Sequence, residues 1–380
     1  MITKWTLYNF KSIRDETPLD LGPLTIFAGT NSSGKSTVLQ SMLLISQTLS
    51  SRVRSRSVVL NGHLAKLGQF DDLRTFKSDA DQIFVSWECE PRLVATDPLA
   101  RRRVKQLKVV SCDISFDAGP VGAERDLTQL QPRLFSCGLH CISRGAESTD
   151  VVSSLIVGRA GQPDKIQNLA IRDLDEAMRP GLEYDIELDE NSTEELAEEY
   201  VLAEPIGCTF RHFLPNRLLV RFNQVEQEAR QVTSAICELR AYYALRPTES
   251  LEKQIIPRDV IDLLKSQPGQ PVQPLFDVLD VGPLFSEERY KITLPDWVRA
   301  IRRLPPSKQV SVRQAVQALQ EEIHTTIVGG REAEYALTQL SLPDQLMDSV
   351  SYLEYFFSNS VEYLGPLRDE PKPLYPLGAD

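Results

Sequence analysis

The chain has 380 residues, of which 42% are hydrophobic and 25% charged, and its formal net charge is −11 at pH 7. This composition is typical of a globular protein with two structural units, and the acidic balance argues against a surface dedicated to nucleic acid. No apolar run approaches the ~18 residues of a membrane-spanning helix, and residues 1–10 lack the apolar core of a signal peptide. The six cysteines form no C-x-x-C pair, which favours reduced thiols and a cytoplasmic protein.

The first 28 residues predict two strands. Residues 1–10 place Trp5 and Leu7 on one face of a strand, which is followed by the polar segment Asn9-Phe10-Lys11-Ser12. Residues 24–28, Leu-Thr-Ile-Phe-Ala, form a short apolar run with a β-branched and aromatic centre. Such a run predicts a buried strand.

A phosphate-binding motif follows the second strand. Residues 29–36 read G-T-N-S-S-G-K-S and satisfy the pattern G-x-x-x-x-G-K-[ST]. Apolar residues then recur at helical spacing from Val38 to about Ser50. Since a strand, a glycine-rich loop and a helix are the context in which this motif binds a nucleotide triphosphate, we expect ATP and Mg²⁺ as ligands.

Each residue type in the motif suits one part of the triphosphate. Gly29 and Gly34 permit backbone conformations that a Cβ would forbid, and successive N–H groups donate to phosphate oxygens. Lys35 is predicted to reach the β- and γ-phosphates and to be catalytic, while the Ser36 hydroxyl is predicted to ligate Mg²⁺. The predicted contacts to nucleotide in the loop are Gly29, Asn31, Ser32, Ser33, Gly34, Lys35, Ser36 and, at the α-phosphate, Thr37.

The order of these segments resembles the ABC-type ATPase heads of the RecF, SMC and OLD-nuclease group. There an N-F-K-S segment and a short β segment typically precede a loop of the form G-x-N-[GS]-S-G-K-S, which Asn31 matches. The resemblance implies that Asn9, Lys11 and Ser12 lie near the ribose or base of the nucleotide. Alternatively, Lys11 and Ser12 simply mark the end of a strand.

Two further segments resemble compact bacterial ATPases of this group. Residues 58–73 carry the pattern LNG…LG…D, and residues 363–376 carry YLGPLR…P…YP. In the wider ABC group a glutamine after the phosphate loop touches Mg²⁺ and the attacking water. This resemblance makes Gln69 the candidate for that catalytic and metal-binding role, with Gln82 as the alternative; either residue could also be an ordinary surface glutamine.

Two motifs of an ABC ATPase, the Walker B carboxylate pair and the serine–glycine signature, are not recognisable in the sequence. In the resembled families both follow the YLGPLR segment, so we expect this chain to be the N-terminal part of a longer ATPase or half of a split one. The resemblance implies that ATP closes two heads of a homodimer or higher oligomer. This closure would control a partner nuclease or a DNA transaction, in phage defence or DNA repair.

Two other functions remain open at this stage. One is a regulatory or scaffolding module that binds nucleotide without turnover, which the missing Walker B pair favours for this chain alone. The other is a kinase or GTPase on the same loop. The absence of an N-K-x-D motif argues against a GTPase.

The remaining sequence predicts strands first and helices afterwards. Five segments have the length and composition of strands: 83–87, 107–116, 134–142, 151–157 and 182–188. Three later segments show helical spacing, at 225–243, 312–327 and 346–357, and are too short for a coiled coil. We therefore expect an α/β fold, a P-loop ABC-ATPase head with an antiparallel β-subdomain. Its expected parts are an ATPase lobe (1–221), a mainly helical insertion (222–360) and a strand returning to the core (361–380).

Positive charge is concentrated in two clusters. One is Arg52, Arg54 and Arg56, directly after the phosphate-loop helix, and the other spans residues 101–108. Either cluster could contact the phosphates of DNA. Because neither cluster has interleaved aromatic residues, ordinary solvated loops are the favoured interpretation.

Overall fold

The computed structural model describes ten strands and ten helices in residues 1–30, 34–91, 106–118, 132–144, 150–160, 175–199, 203–237, 255–269, 271–279 and 292–364, with the backbone alone for 197–199. The strands are β1 (Ile2–Tyr8), β2 (Thr17–Asp20), β3 (Ile83–Cys89), β4 (Leu107–Asp117), β5 (Arg133–Arg144), β6 (Asp150–Arg159), β7 (Tyr184–Leu188), β8 (Glu204–Arg211), β9 (Leu214–Asn223) and β10 (Tyr335–Ser341). The helices are α1 (Lys35–Leu49), α2 (Phe70–Leu73), α3 (Glu190–Glu199), α4 (Gln224–Cys237), α5 (Arg258–Lys265), α6 (Gln273–Val278), α7 (Leu294–Arg303), α8 (Pro306–Ala318), α9 (Gln320–Val328) and α10 (Asp344–Asn359).

The main sheet has seven antiparallel strands in the order β2-β1-β3-β4-β5-β6-β7. All five strands predicted between residues 83 and 188 are present, as β3 to β7. Alternation of apolar residues explains their orientation: Ile83, Val85 and Trp87 are buried, and the residues between them are partly exposed. The α/β class and the large antiparallel sheet agree with the sequence prediction.

Helix α1 packs against this sheet and against α10. The indole Nε1 of Trp5 on β1 donates to Ser41 Oγ on α1 at 2.9 Å. The Trp5 ring stacks on Trp87 of β3 with centroids 5.5 Å apart, and Phe357 of α10 lies edge-on to Trp87 at 5.4 Å. These three aromatic side chains are almost fully buried, so they fix α1 and α10 to the same face of the sheet.

A second hydrophobic core is built from helices α4 to α9. The strand β10 and the helix α10 pack instead with the first core, because β10 pairs with β9 and α10 contacts α1, β4, β5, β6 and β9. Residues 335–359 thus pack in the first core with the main sheet, although the sequence analysis placed them in the helical insertion. The predicted helix at 346–357 is confirmed as α10.

The single helix predicted for residues 312–327 is wrong. The helix is interrupted at Leu319, whose φ of −101° and ψ of 11° lie outside the helical region. The segments α8 and α9 on either side of Leu319 are therefore separate helices. Both helices bury apolar residues in the same second core, among them Val316 and Ile323. The helical spacing of apolar residues in the sequence therefore continues across the residue at which the helix is interrupted. The predicted helix 225–243 is present as α4 to Cys237, and its remainder lies outside the described residues.

The predicted strand at residues 24–28 is also wrong for this structure. No strand forms there, and the side chains of Leu24 and Ile26 are 82% and 78% exposed. The physical reason is that no strand of the described residues lies beside this segment: after Leu21, whose N–H donates to Thr3 O, the chain leaves the edge of the main sheet. Phe27 packs against the first core, but a segment without a neighbouring strand cannot form the backbone hydrogen bonds of a sheet.

The predicted returning strand is not seen in the residues that the structure describes near the end of the chain. Residues 361–364 have no regular structure, and Leu364 is exposed. Residues 365–380, including most of the YLGPLR segment, lie outside the described residues. In the described part of the chain, no helix has both the length and the apolarity needed to cross a membrane.

A partly exposed carboxylate lies on the outer face of the main sheet. Asp113 of β4 accepts a hydrogen bond from Ser86 Oγ at 3.2 Å and lies 3.8 Å from His140 Nε2. Gly138 lies directly opposite Asp113 on β5, and a Cβ there would come within 2.3 Å of Asp113 Oδ2. A larger residue at position 138 would therefore displace this carboxylate.

We expect Gly138→Ala to lower the free energy of unfolding by about 1 kcal/mol relative to Gly158→Ala, because the new methyl group displaces a hydrogen-bonded carboxylate at the end of a partly exposed side chain. Urea denaturation measures the loss. Adding Asp113→Ala should remove most of it, since the colliding atom is gone. Gly158→Ala is the matched control, because no atom lies within 4 Å of a Cβ on that strand residue. An equal cost at both glycines would contradict this account.

The same carboxylate predicts a pH dependence of stability. Burial raises the pKa of Asp113 above 3.8, against the opposing attraction of His140 and the hydrogen bond from Ser86. A raised folded-state pKa means that ionised Asp113 destabilises the fold as the pH rises through that pKa. Asp113→Asn should therefore have little effect on the unfolding free energy near pH 3 and raise it increasingly toward pH 7. A gain confined to low pH would contradict the assignment.

Candidate nucleotide-binding site

The start of α1 has two described features that suit a bound anion. Gly34 precedes the helix with φ of +87°, in the left-handed region that favours glycine. No side chain caps the helix, and its first turn contains no acidic residue. The positive end of the helix dipole is therefore open to an anion.

Lys35 reaches back over the loop. Its ammonium Nζ donates to Gly29 O at 2.9 Å and to Thr30 O at 2.5 Å. These two carbonyl oxygens hold the positive charge of Lys35 beside residues 29 and 30. The predicted loop contacts Asn31, Ser32 and Ser33 lie outside the described residues.

The two hydroxyl residues after Lys35 have different surroundings. The Ser36 side chain is exposed, whereas Thr37 is buried and its Oγ1 lies 3.1 Å from Ser12 Oγ. Ser12 also limits the size of the residue at position 34, because a Cβ there would lie 3.2 Å from Ser12 Oγ. The structure thus brings Ser12 against the beginning of α1, and a contact between Ser12 and the nucleotide stays a prediction.

The turn after β1 forms hydrogen bonds with both α1 and α2 through Lys11. Lys11 Nζ donates to Gln40 Oε1 on α1 at 2.8 Å, and Lys11 N donates to Leu73 O at 2.6 Å. Partial burial lowers the pKa of Lys11, and the negative charge of Asp72 acts in the opposite direction. Sequence reasoning missed Gln40 and Asp72, because only the folded turn brings them to Lys11.

Asn9 is held by the protein itself. Its side chain is fully buried, its amide donates to Ala80 O and Gln82 O, and its Oδ1 accepts from Thr75 N. These bonds fasten residues 75–82 to the turn after β1. A contact between Asn9 and the ribose or base stays a prediction. The hydrogen bonds described for Asn9 hold the end of β1 to residues 75–82.

Gln69 lies at the start of α2 with an exposed side chain. Its N–H donates to Asp72 Oδ2 at 2.7 Å, and the same carboxylate oxygen lies within 2.2 Å of where a Cβ of Gly68 would be. Gly68 has φ of +87°, so the turn before Gln69 depends on glycine. Between the described residues, no hydrogen bond joins the Gln69 side chain to α1, and its role at Mg²⁺ stays a prediction. The alternative, Gln82, is tied to Asn9 through its backbone oxygen.

Comparison with known proteins agrees with the location of this site. Residues 1–86 match the family model described as AAA ATPase domain, and no curated protein matches the chain. The matched residues include β1, the turn that carries Lys11 and Ser12, the phosphate loop, α1 and α2. The N-terminal 86 residues are thus similar to a P-loop ATPase domain of the AAA or ABC type, which supports ATP binding and ATPase activity.

Proposed function

We propose that this chain is the nucleotide-binding head of an ABC-type ATPase and binds ATP with Mg²⁺ at residues 29–37. The observation that carries the proposal is the geometry at the start of α1. A left-handed glycine precedes an uncapped helix, and a lysine ammonium lies over the loop. These groups complement the negative charge of a triphosphate.

The residue roles follow from the positions of the donors. On binding, Lys35 exchanges its two carbonyl partners for the β- and γ-phosphates, so nucleotide replaces contacts that the loop already makes. Exposed Ser36 is free of a bulky neighbour and offers its hydroxyl to Mg²⁺. Thr37 and Ser12 share a contact at the α-phosphate side, and Gln69 orients water at the metal.

Exposed apolar side chains in residues 24–28 support a further part of the proposal, which concerns the pairing of this segment with another strand. Apolar surface close to the phosphate loop in the sequence is exposed at Leu24, at Ile26 and, on α1, at Leu39. A strand from another segment, in the same polypeptide or in a second one, would pair with residues 24–28 and cover them. Closure of two such completed heads around ATP would control a partner nuclease or a DNA transaction.

The first prediction for this function concerns Lys35→Ala. We expect ATP affinity to fall about tenfold to a hundredfold, because the cationic donor to two phosphates is lost. Isothermal titration calorimetry at fixed Mg²⁺ measures the change, with thermal unfolding as a check on the fold. The control is Lys308→Ala, which removes an exposed lysine from α8. Equal ATP affinity in Lys35→Ala and the unaltered protein would refute the site.

Ser36→Ala tests the metal separately from the phosphates. We expect the increase in ATP affinity with Mg²⁺ to become weak or to vanish, while affinity without Mg²⁺ stays within about twofold. Titrating ATP at several Mg²⁺ concentrations measures this difference. Ser311→Ala on α8 is the matched control, since Ser311 is exposed and its hydroxyl only donates to Ser307 O. An unchanged Mg²⁺ dependence would assign the metal to another residue.

A further inference from the structure

A cavity of about 880 Å³ lies beyond the C-terminal end of α1, away from the phosphate loop. It lies between residues 54–57, the beginning of β5, residues 177–184 and the turn that joins β8 to β9. Because α1 has 15 residues and helices rise about 1.5 Å per residue, about 22 Å of helix separates this cavity from the nucleotide site. The volume is within the range of about 300–1,000 Å³ found for small-molecule sites.

The charged side chains that line the cavity are mostly positive. Arg54, Arg56 and Arg133 line it together with one carboxylate, Glu183. Glu183 pairs with Arg133 at 3.3 Å. Throughout the described ranges, no acidic side chain lies within 4 Å of the guanidinium of Arg54 or Arg56, and both arginines are exposed. Within the described part of the chain, an otherwise acidic protein therefore presents two guanidinium groups without an acidic partner at one cavity, and guanidinium is well suited to phosphate.

The loop that carries these arginines is held in place by His212. His212 is buried and has φ of +57° in the two-residue turn between β8 and β9. Its backbone N–H donates to Arg54 O at 2.8 Å, and its ring nitrogens lie 2.9 Å from Arg56 O and 3.2 Å from Ser51 O. Three backbone carbonyls of one short loop thus converge on a single histidine. This arrangement reduces the cost of ordering the arginines when a ligand binds.

Two aromatic rings complete the lining. Tyr184 and Phe210 lie edge-to-face with centroids 4.7 Å apart, and the Tyr184 hydroxyl donates to Leu134 O at 3.2 Å. Both side chains are only partly buried. Fixed aromatic rings beside arginines are the combination that binds nucleotides, because bases stack on rings while cations neutralise phosphates. The aromatic residues missing from the sequence around Arg52 to Arg56 are thus supplied by β7 and β8.

We propose that this cavity is a second, separate binding site for the phosphodiester of a nucleotide chain. Arg54 and Arg56 contact the phosphates, Arg133 lies beside Glu183, and Tyr184 with Phe210 supplies a surface for a base. Two sources carry this chemistry, a free dinucleotide that fits within the cavity and a single strand of nucleic acid that passes through it. The site does not depend on ATP binding at the phosphate loop.

The test measures binding of two probes to the full chain by fluorescence anisotropy. The probes are the dinucleotide pTpT and an oligothymidylate of about 20 nucleotides, each labelled with fluorescein and lacking a triphosphate. We expect Arg54→Ala/Arg56→Ala to weaken binding at least tenfold, through the loss of two charged contacts. For the oligonucleotide, the dependence of log affinity on log salt should become shallower by about 1.4, since each single-strand phosphate contact contributes about 0.7. Arg133→Ala should weaken binding as a second, independent variant.

The matched control is Arg303→Ala/Arg313→Ala, which removes two exposed arginines from the helical unit. An equal loss in this control, or no binding of either probe at about 50 mM salt, would overturn the proposal. Tight binding of pTpT identifies a free dinucleotide as the ligand, and binding of the oligonucleotide alone identifies a strand. Lys35→Ala should leave both probes bound, and the arginine variant should keep its ATP affinity. Failure of the phosphate loop and failure of this cavity are therefore distinguishable.

Discussion

The stacking of Trp5 on Trp87, with Phe357 against them, is the contact on which the rest of the structure depends. It joins β1, β3 and α10, and the hydrogen bond from Trp5 to Ser41 adds α1 to the same cluster. The phosphate loop ends where α1 begins, so its position relative to the sheet is set by this packing. Rings of this size bury enough apolar surface to make the arrangement rigid.

The polar residues of α1 continue this attachment toward its C-terminal end. Ser46 Oγ donates to Phe357 O at 2.8 Å. Gln47 donates to Val59 O and accepts from Ala65 N, so a buried amide holds the chain that follows the helix. Buried polar groups that are fully paired define one arrangement, because any other would leave them unsatisfied. Gly34, at the start of α1, and the loop with the arginines, after its end, are consequently connected through one helix that is hydrogen-bonded to its neighbours.

The sequence predicted most of this fold where the pattern was local. Strands β3 to β7 follow from alternating burial, and α1 and α10 from helical spacing. The prediction of one helix for residues 312–327 failed at Leu319. The spacing of apolar residues indicates which side of a helix faces the core, and it does not indicate whether the helix is interrupted. The phosphate loop was recognisable from eight consecutive residues, whereas Lys11 meets Gln40 and Asp72 only through folding. The cavity was beyond prediction for the same reason, since Arg54, Tyr184 and Phe210 are far apart in the sequence.

Residues 24–28 are the place where local preference and tertiary structure disagree most. Their composition favours a strand, yet Leu24 and Ile26 are largely exposed and no strand lies beside them in the residues described. A conflict of this kind destabilises a segment that is surrounded by solvent, and it disappears when a neighbouring strand supplies hydrogen bonds and apolar contacts. Such conflicts concentrate at functional positions, and this one directly precedes the phosphate loop. The segment that would satisfy the strand would therefore also set the position of Gly29, which links assembly of the sheet to the geometry of the nucleotide site.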